Sequence, residues 1–232
     1  MTTFDHALFA LLVAVAARRS RGFEKLSQAA EADRSRLRSR AYLWTAVIWS
    51  AFGSAVISLW AAQHRPLAEL GVDDPAGAAA ALTMVALLPL LVRLPRKWSP
   101  IGEGEVARAA LLVLPHSRAE LWRWMVGSAF WAAGEELCFR AFALAYLGTW
   151  MPKPAALVIS AALFAVAHRY QGRRGVVFSG AVGLILGGVY LLVGFLFLPI
   201  VLHALWDIWV AYCTYRRLAT ASPSRVSAAA SR

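Results

Sequence analysis

The sequence predicts an all-α fold, a polytopic membrane bundle of about seven transmembrane helices and possibly eight. Of its 232 residues, 59% are hydrophobic and only 16% are charged, whereas soluble domains are roughly half apolar and about a quarter charged. The hydrophobic residues are grouped in stretches near the roughly 20 residues that cross a bilayer. Basic residues are concentrated in every second connection between those stretches, as in membrane proteins with alternating loops.

The apolar stretches give the predicted helices in chain order. Some are shorter than a full span, which tilting or local thinning of the bilayer can accommodate. No basic residue precedes the first stretch, unlike in a cleavable signal peptide, so we expect a membrane-inserted helix there. The seven segments are Phe4–Ala17, Ala41–Ala62, Ala76–Leu94, Met125–Trp150, Ala155–His168, Val176–Gly194 and Leu198–Tyr215.

The basic residues predict the orientation of these helices. The connection Arg18–Arg40 carries eight Arg or Lys residues, whereas Gln63–Pro75 has one Arg against three acids. Because cytoplasmic connections carry the excess of Lys and Arg, we expect the amino terminus outside and the carboxyl terminus in the cytoplasm. We predict one transmembrane domain over residues 1–215 and a disordered cytoplasmic tail over residues 216–232. The basic residues do not gather on one folded face, which argues against a nucleic-acid partner.

Three ionisable residues, Glu135, Glu136 and Arg140, lie within the apolar region Trp124–Trp150, which carries no other charge. Each charge at bilayer depth costs on the order of 3 kcal/mol by insertion scales, so their presence indicates a function. Glu136 and Arg140 are four residues apart on a helix and can form an ion pair. Glu135 points about 100° away from Glu136 and can face a cavity. We therefore expect Glu136 to be structural and Glu135 to be available for chemistry.

Three further polar residues interrupt later apolar segments. His168 ends the fifth segment, and His203 and Asp207 share one helix face on the seventh. Each has a structural explanation, since a buried histidine can bond between helices and Asp207 can simply orient His203. Glu136 and Arg140 could likewise only lock two helices together. A glutamate, two histidines and an aspartate on three helices are nevertheless the side chains used in general acid and base catalysis.

Three ordered motifs contain these residues: Glu135-Glu136…Arg140, Phe164…His168 and His203…Asp207. In this order on successive membrane helices, they resemble the CPBP family. That family includes CAAX-processing endoproteases, bacteriocin-processing and self-immunity proteins, and related bacterial intramembrane proteases. The resemblance covers about residues 124–215. It implies a protease-like core in that region and a bacterial inner membrane as the location.

The resemblance implies a glutamate-type intramembrane endopeptidase that acts on a membrane-associated protein or peptide. Glu135 and His168 would activate water, and His203, aided by Asp207, would stabilise the oxyanion. No metal or other cofactor would be needed. Family substrates range from prenylated carboxyl-terminal peptides to bacteriocin leaders and sorting tails of surface proteins, and the sequence does not select among them. The supporting residues would be Glu136, Arg140 and Phe164.

Asp207 departs from the asparagine that many family members carry at this position. An amide donates to a developing oxyanion, whereas an ionised carboxylate repels it. We therefore expect Asp207 to accept a hydrogen bond from one ring nitrogen of His203, so that the other nitrogen can donate. Counted along their helices, Glu135, His168 and His203 start from different depths. A tilted or broken helix is needed to bring them level.

Other functions are compatible with the same residues. Glu135, His168 and His203 would also suit Zn²⁺, with Asp207 behind them, although the chain has no H-E-x-x-H motif. A proton-coupled transporter would use these groups as a relay, but it predicts polar residues along a path and inverted repeats, which the sequence lacks. A non-catalytic scaffold or immunity protein would keep the motifs as structure. Chelator sensitivity and an activity assay separate these functions.

Overall fold

The structure is a computed structural model that describes residues 1–18, 20–73, 79 and 111–220. Within these residues the chain is helical and contains no strand, as the sequence predicts. A π-helical segment, Leu137–Phe142, continues one helix, and two 3-10 turns, Leu67–Leu70 and Arg169–Gln171, lie in connections. The α-helices are α1 Thr3–Arg18, α2 Ser20–Gln28, α3 Glu31–Ala62, α4 Arg118–Glu136, α5 Ala143–Leu147, α6 Lys153–Ala167, α7 Gly172–Val193 and α8 Phe197–Thr220.

Within the described residues, each predicted apolar segment is helical, and the main differences lie at the helix ends and in the π-helical part of the fourth segment. α3 begins at Glu31, well before the predicted start at Ala41, because the basic connection is itself helical there and also forms α2. α8 continues past Tyr215 to Thr220, so the first residues of the predicted tail are helical. The remainder of that tail, residues 221–232, and, apart from residue 79, the third predicted segment, Ala76–Leu94, lie outside the described residues.

In the described part of the chain, three helices are long and apolar enough to cross a membrane: Glu31–Ala62, Arg169–Val193 and Phe197–Ala219. A shorter apolar helix, Lys153–Ala167, accompanies them. α4, the π-helical segment and α5 follow one another without a break, over residues 118–147. These apolar helices indicate an integral membrane protein. The predicted number of seven spans stays a prediction.

α4 is the central helix, and it packs against α3 on one side and α8 on the other. Two glycines allow α3 and α4 to cross at close range. A Cβ added at Gly134 would overlap the main chain of Trp49, and one added at Gly53 would lie 3.0 Å from Leu137 Cδ1. The crossing therefore fixes α4 against α3 one residue before Glu135.

The π-helical segment follows directly after Glu136 and is anchored by contacts with two other helices. The Phe139 carbonyl accepts a hydrogen bond from Ser160 Oγ on α6 at 2.5 Å. The Phe139 ring packs against Trp49 on α3 and Phe164 on α6, with centroids 5.5 and 5.4 Å away. Such π turns widen a helix locally and occur frequently at functional sites.

Two ion pairs join helices at opposite ends of the bundle. Asp5 on α1 pairs at 2.8 Å with Arg65, which follows α3. Arg38 near the start of α3 pairs at 3.1 Å with Glu120 in the first turn of α4. We call these the Asp5 end and the Glu120 end. α3 ends at the Asp5 end and α4 begins at the Glu120 end.

The connection after α3 covers the bundle at the Asp5 end. Its 3-10 turn Leu67–Leu70 packs against the π-helical segment, and Leu70 is fully buried. Gly71 follows with a positive φ of 65°, and its carbonyl accepts a hydrogen bond from the Leu196 main-chain N–H at 2.8 Å. A side chain at Gly71 would both strain this turn and approach the Gly194 carbonyl. The connection is thereby fixed to the turn between α7 and α8.

Candidate active site

The two adjacent glutamates end α4, and both are buried in the apolar bundle. Glu135 is 1% exposed and Glu136 is 0% exposed. Arg140 in the π-helical segment is also buried, and its Nε lies 3.1 Å from Glu136 Oε2. The predicted ion pair between Glu136 and Arg140 is confirmed. Removing one member would leave an uncompensated buried charge, so the pair keeps both charges tolerable inside the bundle.

Glu136 has a second contact that was not predicted from the sequence. Its Oε1 lies 2.7 Å from Nδ1 of His203 on α8. An ionised carboxylate only accepts hydrogen bonds, so His203 Nδ1 carries a proton and donates it. The prediction that Asp207 would accept from His203 is wrong, because the nearest approach, Asp207 Oδ2 to His203 Nε2, is 3.9 Å. Glu136 orients the imidazole instead, since its two oxygens can serve Arg140 and His203 together.

The other ring nitrogen of His203 faces two further carboxylates. Glu135 Oε2 and Asp207 Oδ2 each lie 3.9 Å from His203 Nε2. The structure therefore brings Glu135, His203 and Asp207 together, although they come from two different helices. In its imidazolium form, His203 would donate through Nδ1 to Glu136 and keep a second N–H on Nε2.

Two tryptophans on α4 hold Asp207, and neither was predicted from the sequence. Trp131 Nε1 donates to Asp207 Oδ2 at 2.7 Å, and Trp124 Nε1 donates to the Asp207 main-chain carbonyl at 3.1 Å. The seven-residue spacing of the tryptophans, two turns of a helix, was the signal that could have placed them on one face. That spacing does not reveal which helix the face meets, so it could not have identified Asp207.

His168 lies one residue beyond the end of α6, and its ring is oriented by its own helix. His168 Nδ1 lies 2.9 Å from the Phe164 carbonyl oxygen. Because a carbonyl only accepts, Nδ1 carries the proton, and in the neutral ring Nε2 keeps a lone pair. The same arrangement occurs at His203, whose Nδ1 donates to Glu136, so Nε2 of either ring is an acceptor in the neutral form and a donor in the imidazolium form.

The Phe164 ring links His168 to the rest of the group. Its centroid lies 4.5 Å from the His168 ring and 5.8 Å from the His203 ring. Arg140 Cζ lies 4.2 Å from the same centroid. The two histidines were expected to lie at different depths, and the Phe164 ring, one turn before His168, lies between them and contacts both. A direct pairing of Glu135 with His168 stays a prediction.

Arg140 is held by one ion pair and one aromatic face. Its Nη1 and Nη2 have no hydrogen-bond partner within the described residues. A guanidinium over an aromatic ring gains on the order of 2 kcal/mol when it is removed from water. The Phe164 face therefore compensates part of the cost of burying Arg140, which gives the phenylalanine of the second motif a physical role.

A metal site needs several ligand side chains that converge on one point. Across residues 1–18, 20–73 and 111–220, no three His, Cys, Asp or Glu side chains are arranged to hold a metal ion. The zinc hypothesis therefore has no preassembled ligand set in this part of the chain.

Residues 117–209 match a family model described as type II CAAX prenyl endopeptidase Rce1-like. The match covers about two fifths of the chain and includes all three motifs. A comparison with curated proteins and one with solved structures each found no match. Residues 117–209 of this chain are therefore similar to the Rce1-like CAAX endopeptidases of the CPBP family.

Proposed function

We propose that this chain is a glutamic-type intramembrane endopeptidase that hydrolyses a peptide bond in a membrane-associated protein. Glu135 and His168 would activate the attacking water, and His203 would stabilise the oxyanion. The observation that carries the proposal is the 2.7 Å contact between His203 Nδ1 and Glu136 Oε1. This contact orients the imidazole so that Nε2 is on the side of Glu135. In the imidazolium form, the Nε2–H could then donate to the carbonyl oxygen of a peptide bond held beside Glu135.

The assignment of His168 as a base is supported by its hydrogen bond to the main chain. Its Nδ1 proton is directed to the Phe164 carbonyl, so Nε2 is the ring nitrogen that would take a proton from water. Glu135 is the second buried carboxylate of the first motif, and its Oε2 lies 3.9 Å from His203 Nε2. A water held between these two groups could transfer its proton to either one.

The reaction then balances with the residues of this chain alone. The water oxygen would attack the peptide carbonyl carbon while its proton passes to Glu135 or His168. The negative charge that develops on the carbonyl oxygen would be met by the Nε2–H of His203. The same proton would return to the amide nitrogen as the C–N bond breaks, which leaves a carboxylic acid and an amine. Asp207, 3.9 Å from His203 Nε2, would attract the imidazolium form of that ring.

We propose that the Glu120 end faces the cytoplasm, with the amino terminus outside and the carboxyl terminus inside a bacterial inner membrane. Supporting this orientation, the basic side chains near that end include Arg38, Arg123, Arg169, Arg216 and Arg217. His168 lies toward this end, whereas the turn Leu67–Leu70 packs over the π-helical segment at the opposite end. A substrate would therefore approach from the cytoplasmic side.

The family description names the first substrate class to test. The matching family model is described as a type II CAAX prenyl endopeptidase, and this description names a prenylated substrate. A prenylated carboxyl-terminal peptide is therefore the first candidate substrate for this chain. Leader peptides and sorting tails of membrane-anchored proteins are the other classes. In each class the substrate would be a membrane-associated protein or peptide.

The test combines a defined peptide with a survey of cellular proteins. Purified wild-type protein in lipid vesicles would be given a prenylated CAAX peptide, and the protein termini of membranes from cells carrying wild type or Glu135→Gln would be compared. We expect a cleaved terminus that Glu135→Gln abolishes, with a loss of at least about 100-fold in rate. Glu24→Gln, an exposed glutamate on α2, is the matched control and should cleave normally. Identical termini in both cell lines would favour a non-catalytic scaffold.

A further inference from the structure

Asp207 and His203 are four residues apart on α8, yet their side chains do not form a hydrogen bond with each other. On a helix, such a carboxylate and imidazole are neighbours and readily pair. Here Asp207 Oδ2 lies 3.9 Å from His203 Nε2 and 2.7 Å from Nε1 of Trp131 on α4. The carboxylate oxygen that faces His203 is thus bound by a tryptophan of another helix.

The indole that binds Asp207 is held in place by its own neighbours. Trp131 is 4% exposed and packs edge-on against Trp124, with ring centroids 5.0 Å apart. Tyr42 on α3 lies on another side, at 6.5 Å between centroids. Trp124 fixes the Asp207 main chain through its own N–H. Because an indole N–H only donates and does not titrate near neutral pH, Trp131 holds the carboxylate in one direction.

The position of this carboxylate matters for the nitrogen that would face the substrate. In the imidazolium form, His203 donates from Nδ1 to Glu136, which leaves the Nε2 proton for an oxyanion. A carboxylate that could turn toward Nε2 would accept that proton in a strong, charge-assisted hydrogen bond. Such a bond would withdraw the donor from the reaction. The two positions of Asp207 are therefore alternatives with opposite effects on catalysis.

We propose that Trp131 is a positioning residue, which holds the Asp207 carboxylate away from His203 Nε2 and keeps that N–H available for the oxyanion. The inference rests on the proposed function, because it assigns the His203 Nε2 proton to the reacting carbonyl. It adds a residue that lies outside the three motifs and acts only through Asp207. Trp124, which binds the main chain of Asp207 and not its carboxylate, would lack this role.

The kinetic test compares Trp131→Phe with Trp124→Phe in vesicles. Both substitutions keep an aromatic ring on the same face of α4 and remove one indole N–H. We expect Trp131→Phe to lower kcat about 10- to 100-fold with KM little changed, and Trp124→Phe to stay within about threefold of wild type. Asp207→Asn in the Trp131→Phe background should raise kcat again, because it removes the competing charge. A purely structural role predicts instead that the double variant is slower than either single variant.

A spectroscopic arm makes the result independent of proteolysis. In ¹⁵N-histidine spectra, we expect the Nε2 signal of His203 to move toward a hydrogen-bonded position in Trp131→Phe and to stay unchanged in Trp124→Phe. An unchanged His203 signal in Trp131→Phe would overturn the inference, whether or not the protein cleaves peptides. If Glu135→Gln is inactive while Trp131→Phe turns over at the wild-type rate, the inference fails and the proposed function stands. If wild type itself does not cleave, the proposed function fails, and the histidine spectrum alone decides whether Trp131 restrains Asp207.

Discussion

Glu136 Oε1 lies 2.7 Å from His203 Nδ1, while its second oxygen lies 3.1 Å from Arg140 Nε. One buried carboxylate thus joins a cation on the π-helical segment to an imidazole on α8. Because a carboxylate accepts through both oxygens, Glu136 fixes the Nδ1 proton of His203 and the direction of its ring. The second glutamate of the first motif therefore acts on the site as well as on the packing.

Substituting Glu136 by Gln tests this relationship at nearly constant volume. The amide has one acceptor oxygen and one donor group, so it cannot accept from both Arg140 and His203. We expect kcat for peptide cleavage to fall about 10- to 100-fold, the usual effect of losing a partner that orients a reacting imidazole, with KM little changed. Steady-state kinetics in vesicles would measure it, with Glu24→Gln as the exposed control. A kcat equal to that of wild type would show that Glu136 does not orient His203 during turnover.

Contacts within one helix could be predicted from the sequence. The pair Glu136 and Arg140 could be predicted because a four-residue spacing places side chains one above the other on any α-helix. His203 and Asp207 were placed on one face by the same rule, and they do share that face. The assumed bond between them was wrong, because spacing gives proximity on a helix but not the partners that another helix supplies.

Contacts between helices could not be predicted from residue spacing in this way. Trp131 reaches Asp207 only because α4 packs against α8, and no pattern in either helix specifies that neighbour. The π-helical segment could not be predicted from the sequence either, since its residues also suit an ordinary α-helix. Gly134 is informative only once Trp49 is seen to lie against it. The sequence could therefore supply the chemistry-bearing residues, whereas their pairing depended on helix packing.

Gly134→Ala tests the close crossing that positions the two glutamates. The added Cβ would overlap the Trp49 main chain, so α3 and α4 would have to move apart. We expect a loss of about 1–3 kcal/mol in the free energy of unfolding, the usual cost of overpacking. Gly188→Ala on α7 is the matched control, because its Cβ would meet nothing within 4 Å and alanine favours a helix. Thermal unfolding in detergent compares them, and equal midpoints for the two variants would contradict the prediction.

Acid sensitivity should arise from Glu120, which lies before the predicted span Met125–Trp150. Burial alone would raise the pKa of Glu120, but hydrogen bonds from Arg38, the His116 main-chain N–H and Ser35 outweigh it and lower that pKa. A carboxyl group whose pKa is lower in the folded state contributes stability above its unfolded pKa of about 4.3. That contribution is lost as the pH falls through the folded pKa. The stabilisation by Glu120 is thus present at neutral pH and absent in strong acid.

Unfolding midpoints of wild type and Glu120→Gln should therefore converge as the pH is lowered from 7 toward about 3. At neutral pH we expect the variant to be less stable by about 3–5 kcal/mol, because Arg38 would be left as an uncompensated buried charge. The double variant Arg38→Gln with Glu120→Gln should recover part of this loss. A difference between wild type and Glu120→Gln that stays constant across this pH range would exclude the ionised pair as its cause.

Chelation separates the glutamic mechanism from the zinc hypothesis that the same residues allow. In the proposed reaction, Glu135 and His168 take the proton of the water directly, so no step depends on a Lewis acid. We expect the rate of peptide cleavage in vesicles to stay within about twofold after treatment with EDTA and with 1,10-phenanthroline. If a bound metal generated the nucleophile, its removal would abolish cleavage. Added Zn²⁺ should not increase the rate. Loss of cleavage on chelation, with recovery on adding Zn²⁺, would replace water activation by Glu135 and His168 with a zinc-bound hydroxide.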